Sequence, residues 1–296
     1  MFDRTTGIKF QNRQHVGEFT DISFDIALDD RGEEIETVEA SLHFMKFGQG
    51  EPLILLHGLG QSIYTWRKCF WMLEESFTCY AVDLPGHGCS EKAGMAYAVE
   101  DFSLTIESFM AKQGIASAHI VTFGETATYA LDFAQQRPDM VKSLMLVSPM
   151  MERDNPKGKC FSPFVASSSR FLFSIKGFAS DLESWFFDKT LVDDNIINEY
   201  FIPFEDKEMR QILKIADSNY NDIEVKERLL DIKAPILIIR GSEDRLSPEL
   251  KDGFGGLPQL KAKAFTVRNC GWLVQEEKPD KLCAAICRFV ELVNKK

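Results

Sequence analysis

Short apolar runs alternating with amphipathic stretches constrain this chain more than any other feature. PLILLHG (52–58), FTCYAVDLPG (77–86), AHIVTFG (118–124) and VKSLMLVSP (141–149) are brief and almost uniformly apolar. Runs of that length without polar alternation suit strands covered on both faces. Between them lie SIYTWRKCFWMLEES (62–76), then VEDFSLTIESFMAKQG (99–114), which ends in glycine as helices do, and a helical stretch from Glu125 to Gln136. Strand and helix in this rhythm predict a parallel sheet flanked by helices on both faces. Ahead of it, FTDISFDIAL and TVEASLHFMKF alternate apolar and polar residues around DDRGEE, so residues 18–47 read as a long hairpin.

The rhythm stops at Met150 and resumes with APILIIRGSED (234–244) and KAKAFTVRNCGW (261–272), before a last helix in EKPDKLCAAICRFVELVNK. The interval is rich in aromatic residues, and FLFSIKGFASDLESWFFDKTL and EDKEMRQILKIAD within it look helical. A core of residues 1–149 and 232–296, interrupted by a helical cap at 150–231, is the expected organisation. Most of the aromatic residues between 161 and 204 are read as the cap's own core, because an inserted helical unit must bury something.

With 45% apolar and 27% charged residues the composition is that of an ordinary globular chain. The net charge of −11 repels phosphate backbones and anionic membrane surfaces, so neither nucleic acid nor membrane is an expected partner. The seven cysteines form no Cys-x-x-Cys pair and read as thiols in a reducing compartment. No apolar stretch of signal-peptide or membrane-spanning length occurs, so a cytoplasmic location is expected. There is no metal-ligand spacing and no nucleotide-binding loop, so no cofactor is expected.

Five short segments then fall in a telling order: HGLG (57–60), DLPGHGCS (83–90), RPDMVKSLMLVSP (137–149), RGSEDRLSP (240–248) and GWLVQEEKPD (271–280). In this order and spacing the chain resembles the α/β-hydrolase superfamily, specifically its capped members, from about residue 35 to the end. The resemblance implies an eight-stranded, mostly parallel α/β sheet with an inserted cap. It also implies a serine nucleophile on a strand-to-helix elbow, an acid, and a histidine, in that chain order.

Two of those three positions carry the wrong chemistry. The elbow reads Thr122-Phe123-Gly124-Glu125-Thr126, and both flanks put the nucleophile position at Gly124, which has no side chain. The histidine position is Trp272, and no histidine follows His119. Only the acid remains, as Asp244. The resemblance places an oxyanion-type amide pair at Leu59 and Glu125.

Several rescues are open. Thr126 becomes a nucleophile if the elbow slides by two residues, although both flanks oppose it; otherwise it is a threonine in the first turn of the elbow helix. Glu125 is an acid–base candidate if burial raises its pKa, or else a carboxylate favoured by the helix dipole. Cys89 and Cys270 lie in segments that approach the pocket in the family, but no activating partner is evident in the sequence. His57, His87 and His119 read as structural, and Trp272 as a filler of the imidazole's space. A pocket lined by His57, Gly58, Thr126 and Glu152 besides Leu59, Gly124, Asp244 and Trp272 is expected to hold a small apolar or acyl-like ligand. The leading expectation is therefore a fold member without serine-hydrolase activity. The alternative is an enzyme of the same fold, a relocated hydrolase or a lyase or isomerase, using Glu125 or Asp244.

Overall fold

The computed structural model describes residues 17–27, 35–150, 174–219, 232–247 and 262–295. The DDRGEE turn and Glu152 fall outside them. Strands β1 (Glu18–Ala27) and β2 (Ile35–Phe47) form the expected antiparallel hairpin, paired from Glu18 with Phe44 to Ala27 with Ile35. β2 pairs antiparallel with β4 (Phe77–Val82), and from there every pairing is parallel. With β3 (Glu51–Leu56), β5 (Ala118–Phe123), β6 (Val141–Val147), β7 (Ile236–Gly241) and β8 (Ala262–Val267), the sheet runs β1-β2-β4-β3-β5-β6-β7-β8. β5 is buried at all six residues, as a strand with helices on both faces must be.

Helices α1 (Phe70–Leu73), α2 (Val99–Lys112) and α3 (Thr126–Gln136) alternate with these strands. The amphipathic stretch 62–76 yields only a 3₁₀ turn at Ile63–Trp66 and the one-turn α1. Ile63, Tyr64, Thr65 and Trp66 are all buried, so the first turn has no wet face to extend into a long amphipathic helix. Its start is fixed by Asp83, whose Oδ1 accepts from Ile63 N at 2.8 Å.

Between β6 and β7 the described residues form three helices, α4 (Ile175–Trp185), α5 (Asp194–Glu205) and α6 (Lys207–Asn219). The FLFSIKGFASDLESWFFDKTL stretch is helical only to Trp185, and a 3₁₀ turn follows at Lys189–Leu191. α5 escaped the sequence reading because Pro203 interrupts its pattern. Phe178, Trp185, Phe186, Tyr200 and Phe204 are buried, whereas Phe187 is half exposed. Helices α7 (Val274–Glu277) and α8 (Pro279–Asn294) close the described chain. The six described cysteines are free thiols. No helix among the described residues is long and apolar enough to cross a membrane.

Candidate functional site

The elbow forms where β5 ends and α3 begins. Gly124 sits there with φ +62°, in the left-handed region that costs an L side chain energy but not glycine. Its N–H donates to Val147 O at 3.0 Å, and its carbonyl accepts from Ala127 N and Met150 N at 3.3 and 3.1 Å. The turn is thus pinned to the end of β6 without any nucleophile. Thr126 is the first residue of α3, and its hydroxyl donates back to Phe123 O at 3.0 Å. That bond turns the hydroxyl back onto the backbone of the first helical turn.

Glu125 is fully buried, and its Oε2 accepts a hydrogen bond from Leu59 N at 3.3 Å. The amide expected to greet a developing oxyanion is therefore engaged by the chain's own carboxylate. Gly58 leaves just enough room, since a Cβ there would stand 3.2 Å from Glu125 Oε2 and 3.0 Å from the Phe123 ring. His57 acts structurally: Nε2 accepts from Leu84 N at 3.0 Å, so the proton is on Nδ1, which donates to Gly58 O at 2.8 Å. Burial lowers its pKa, outweighing the raising influence of Asp83, and keeps the ring neutral.

Trp272 fills the space above the elbow. Its ring lies 4.6 Å from Phe123 and 5.6 Å from Trp185, centroid to centroid, and a Cβ on Gly124 would meet its Cζ2 at 3.4 Å. Trp272 and Ser148 hold each other reciprocally, the indole N–H donating to Ser148 O at 3.2 Å and Ser148 Oγ to Trp272 O at 2.7 Å. Ser148 adopts φ +43° to do so, a strained geometry for a side-chain-bearing residue and one that sequence reasoning missed. Asp244 is buried with Oδ1 accepting from Leu246 N and Ser247 N at 2.9 and 3.1 Å, while Oδ2 has no hydrogen-bond partner among the described residues. Cys270 is buried, and burial together with Glu277 pushes its thiol well above the usual range, so it is inert.

Two glutamates missed in the sequence lock this region to the inserted helices. Glu277 accepts from Gly271 N at 2.7 Å and from Phe187 N and Asp188 N at 3.0 Å each. Glu276 meets the Arg67 guanidinium in a two-pronged contact and also Lys68, at 3.0 Å. Tyr200 of α5 donates to Glu276 Oε1 at 2.7 Å and bonds Thr65 at 2.9 Å. Burial alone would raise the Glu276 carboxyl, but Arg67 and then Lys68 hold it below the usual carboxylate range. The available signal was Arg67, a guanidinium that follows the buried run Ile63–Trp66 and had to find a partner.

A Ser–His–carboxylate chain does exist at the other end of the sheet. Ser143 Oγ lies 2.8 Å from His119 Nδ1, and Glu51 Oε2 lies 2.8 Å from its Nε2. These residues stand at the starts of β6, β5 and β3, whereas the elbow is at the end of β5. Ser143 is 0% exposed, so its hydroxyl reaches no substrate, and His119 and His87 are structural as expected.

The sequence matches the family model described as alpha/beta hydrolase fold over residues 51–197. The sheet superposes on a solved protein, Cfl2 from Burkholderia cenocepacia, with TM-score 0.73 at 21% identity, covering 85% of this chain and 95% of that one. This is an α/β-hydrolase-fold protein. An uncharacterized hydrolase, YugF of Bacillus subtilis (strain 168), is 26% identical over 84% of this chain and 93% of its own length. A haloalkane dehalogenase of Agrobacterium fabrum is 26% identical over 60% of this chain and 61% of its own. The meta-cleavage product hydrolase of Pseudomonas fluorescens IP01 aligns with TM-score 0.72 at 21% identity, over 85% of this chain and 94% of that one.

Proposed function

We propose that this α/β-hydrolase-fold protein has lost serine-hydrolase chemistry and binds a small apolar or acyl-like molecule beneath a helical cap formed by residues 150–231. The observation that carries this reading is the Glu125 carboxylate on Leu59 N at 3.3 Å. The side chain there occupies the amide N–H that an oxyanion site would present to the carbonyl oxygen during acyl transfer. Gly124 offers no nucleophile, and the buried Trp272 ring fills the ground that the resemblance gives to the base. The free thiols and the net charge of −11 support a cytoplasmic protein without nucleic-acid or membrane partners.

The test pairs two measurements on the purified chain. Short-chain p-nitrophenyl esters are expected to turn over no faster than with an inert protein. Native mass spectrometry from cell extract is expected to retain a small apolar adduct. Saturable ester turnover overturns the loss of chemistry, and a persistently empty protein overturns the binding.

A second reading has one observation in its favour. Asp244 Oδ2 is buried without a hydrogen-bond partner among the described residues, which leaves an acceptor open to a ligand's donor. Under it the protein is an enzyme of the same fold, with Asp244 or Glu125 as acid–base. Loss of turnover of a lyase or isomerase substrate in Glu125→Gln or Asp244→Asn, with the fold intact, is its signature.

A further inference from the structure

β8 ends the sheet and is thinly covered. Lys263, Ala264, Phe265 and Thr266 are all exposed there, whereas β5 is buried throughout. α8 packs against β6 and β8 and buries one stripe, Leu282, Cys283, Ile286, Phe289 and Val290. A second stripe, Lys281, Ala284, Ala285, Arg288 and Leu292, recurs at the three- and four-residue spacing of one helix face. That stripe and β8 form the walls of a slot of about 470 Å³, which Leu237 of β7 and Phe289 also line.

Length and width decide what fits. From Lys281 to Leu292 the helix rises about 16 Å. Spread along that length, 470 Å³ gives a cross-section of about 30 Å². A helix with its side chains, about 10–12 Å across, needs roughly three times as much. A single extended hydrocarbon chain fits.

Polarity decides the rest. Phe265 and Leu292 are 40% and 37% exposed, so the slot holds large apolar surface in water. Three cations, Lys263, Lys281 and Arg288, stand on it and no carboxylate lines it, in a chain whose net charge is −11. Lys281 has Asp280 at 3.3 Å, but no ion pair among the described residues engages Lys263 or Arg288.

We propose that this slot is a second ligand site that binds a free medium-chain carboxylate, a fatty acid whose tail lies along α8. It stands apart from the elbow, which ends β5, three strands away from β8. The tail is sheltered against Phe265, Ala285 and Leu292. Arg288 and Lys263, the two cations without an ion pair, hold the carboxylate, and the paired donors of the guanidinium match its two oxygens.

The test titrates the full chain with sodium dodecanoate in a calorimeter, beside dodecyltrimethylammonium, which has the same tail and the opposite charge. Saturable binding is expected of dodecanoate and not of the cation. Across octanoate, decanoate and dodecanoate the affinity should rise about two- to fourfold per methylene. Ala284→Trp fills the slot and should weaken dodecanoate binding at least about tenfold. Lys263→Gln with Arg288→Gln should weaken it about tenfold. All three positions are exposed, so the variants should fold, and circular dichroism checks that they do. A ligand bound under the cap would be indifferent to these changes, so an affinity unmoved in both variants overturns the proposal. So does the absence of saturable heat up to about 1 mM. Equal binding of the cationic amphiphile by the wild type overturns it without any variant. A dimer, or adsorption to phosphatidylglycerol vesicles, that Ala284→Trp abolishes while dodecanoate does not bind would also overturn it, giving the slot to a second copy or to a membrane.

Discussion

The side-chain Oε2 of Glu125 accepts a hydrogen bond from the backbone N–H of Leu59 at 3.3 Å, occupying the anion site at the elbow with the chain's own acceptor. Glutamine at this position keeps an acceptor of the same shape. Glu125→Gln should therefore fold, with an unfolding free energy within about 1 kcal/mol of wild type, since one oxygen acceptor replaces another. Chemical denaturation checks the magnitude. Under the binding reading, affinity for the retained ligand survives the change.

Gly124 is needed for its backbone and not for its reactivity. A methyl group finds ordinary contact distance from Trp272, so Gly124→Ala is not excluded by space. It is strained by φ +62°, which should destabilise the protein by about 1–2 kcal/mol. A urea midpoint unchanged by the substitution would show that the turn relaxes.

The Arg67–Glu276 pair is buried on both sides, with relative exposures of 4% and 0%. Arg67→Ala leaves the Glu276 carboxylate with only Lys68 and Tyr200, and should cost about 3–5 kcal/mol. Tyr200→Phe removes one charge-assisted bond to Glu276 and should cost about 1.5–3 kcal/mol. It also cuts a tie between α5 and the core, so proteolysis between α4 and α6 should accelerate. Limited digestion of the two variants side by side measures this directly.

Acid should weaken the fold in two stages. Burial lowers the pKa values of His57, His119 and His87, the last to about 3. Between each folded value and the unfolded value near 6.5, the unfolded chain binds a proton that the folded chain refuses. Stability is therefore full above about pH 6.5 and falls as pH drops below it. Glu276 and Asp83 are held low despite burial, chiefly by Arg67 and by His43 respectively. Their stabilisation is present above about pH 4 and is lost as pH falls through their folded values. Urea midpoints at pH 7.5, 6.0 and 5.0 should decline; a flat series would contradict the buried neutral histidines.

The sheet was legible because its strands are buried on both faces, which writes them as unbroken apolar runs such as AHIVTF. Gly124 and Trp272 were legible because flanking segments fix their positions on either side of the gap. α5 was not, because Pro203 breaks its periodicity and tertiary burial of Tyr200 and Phe204 restores the helix. Leu59 could be named from the sequence, but its engagement by Glu125 depends on a side-chain direction that no spacing encodes. Ser148 was hidden for the same reason: its partner Trp272 is 124 residues away in the chain.

The central claim is that the elbow region no longer performs serine hydrolysis. Steady-state hydrolysis of p-nitrophenyl acetate and butyrate by wild type, Gly124→Ala and Glu125→Ala tests it most directly, with an inert protein as baseline. All three should remain at the baseline at every substrate concentration. Saturable turnover by the wild type that Gly124→Ala abolishes would contradict the account, because it would place a working nucleophile and base at the elbow.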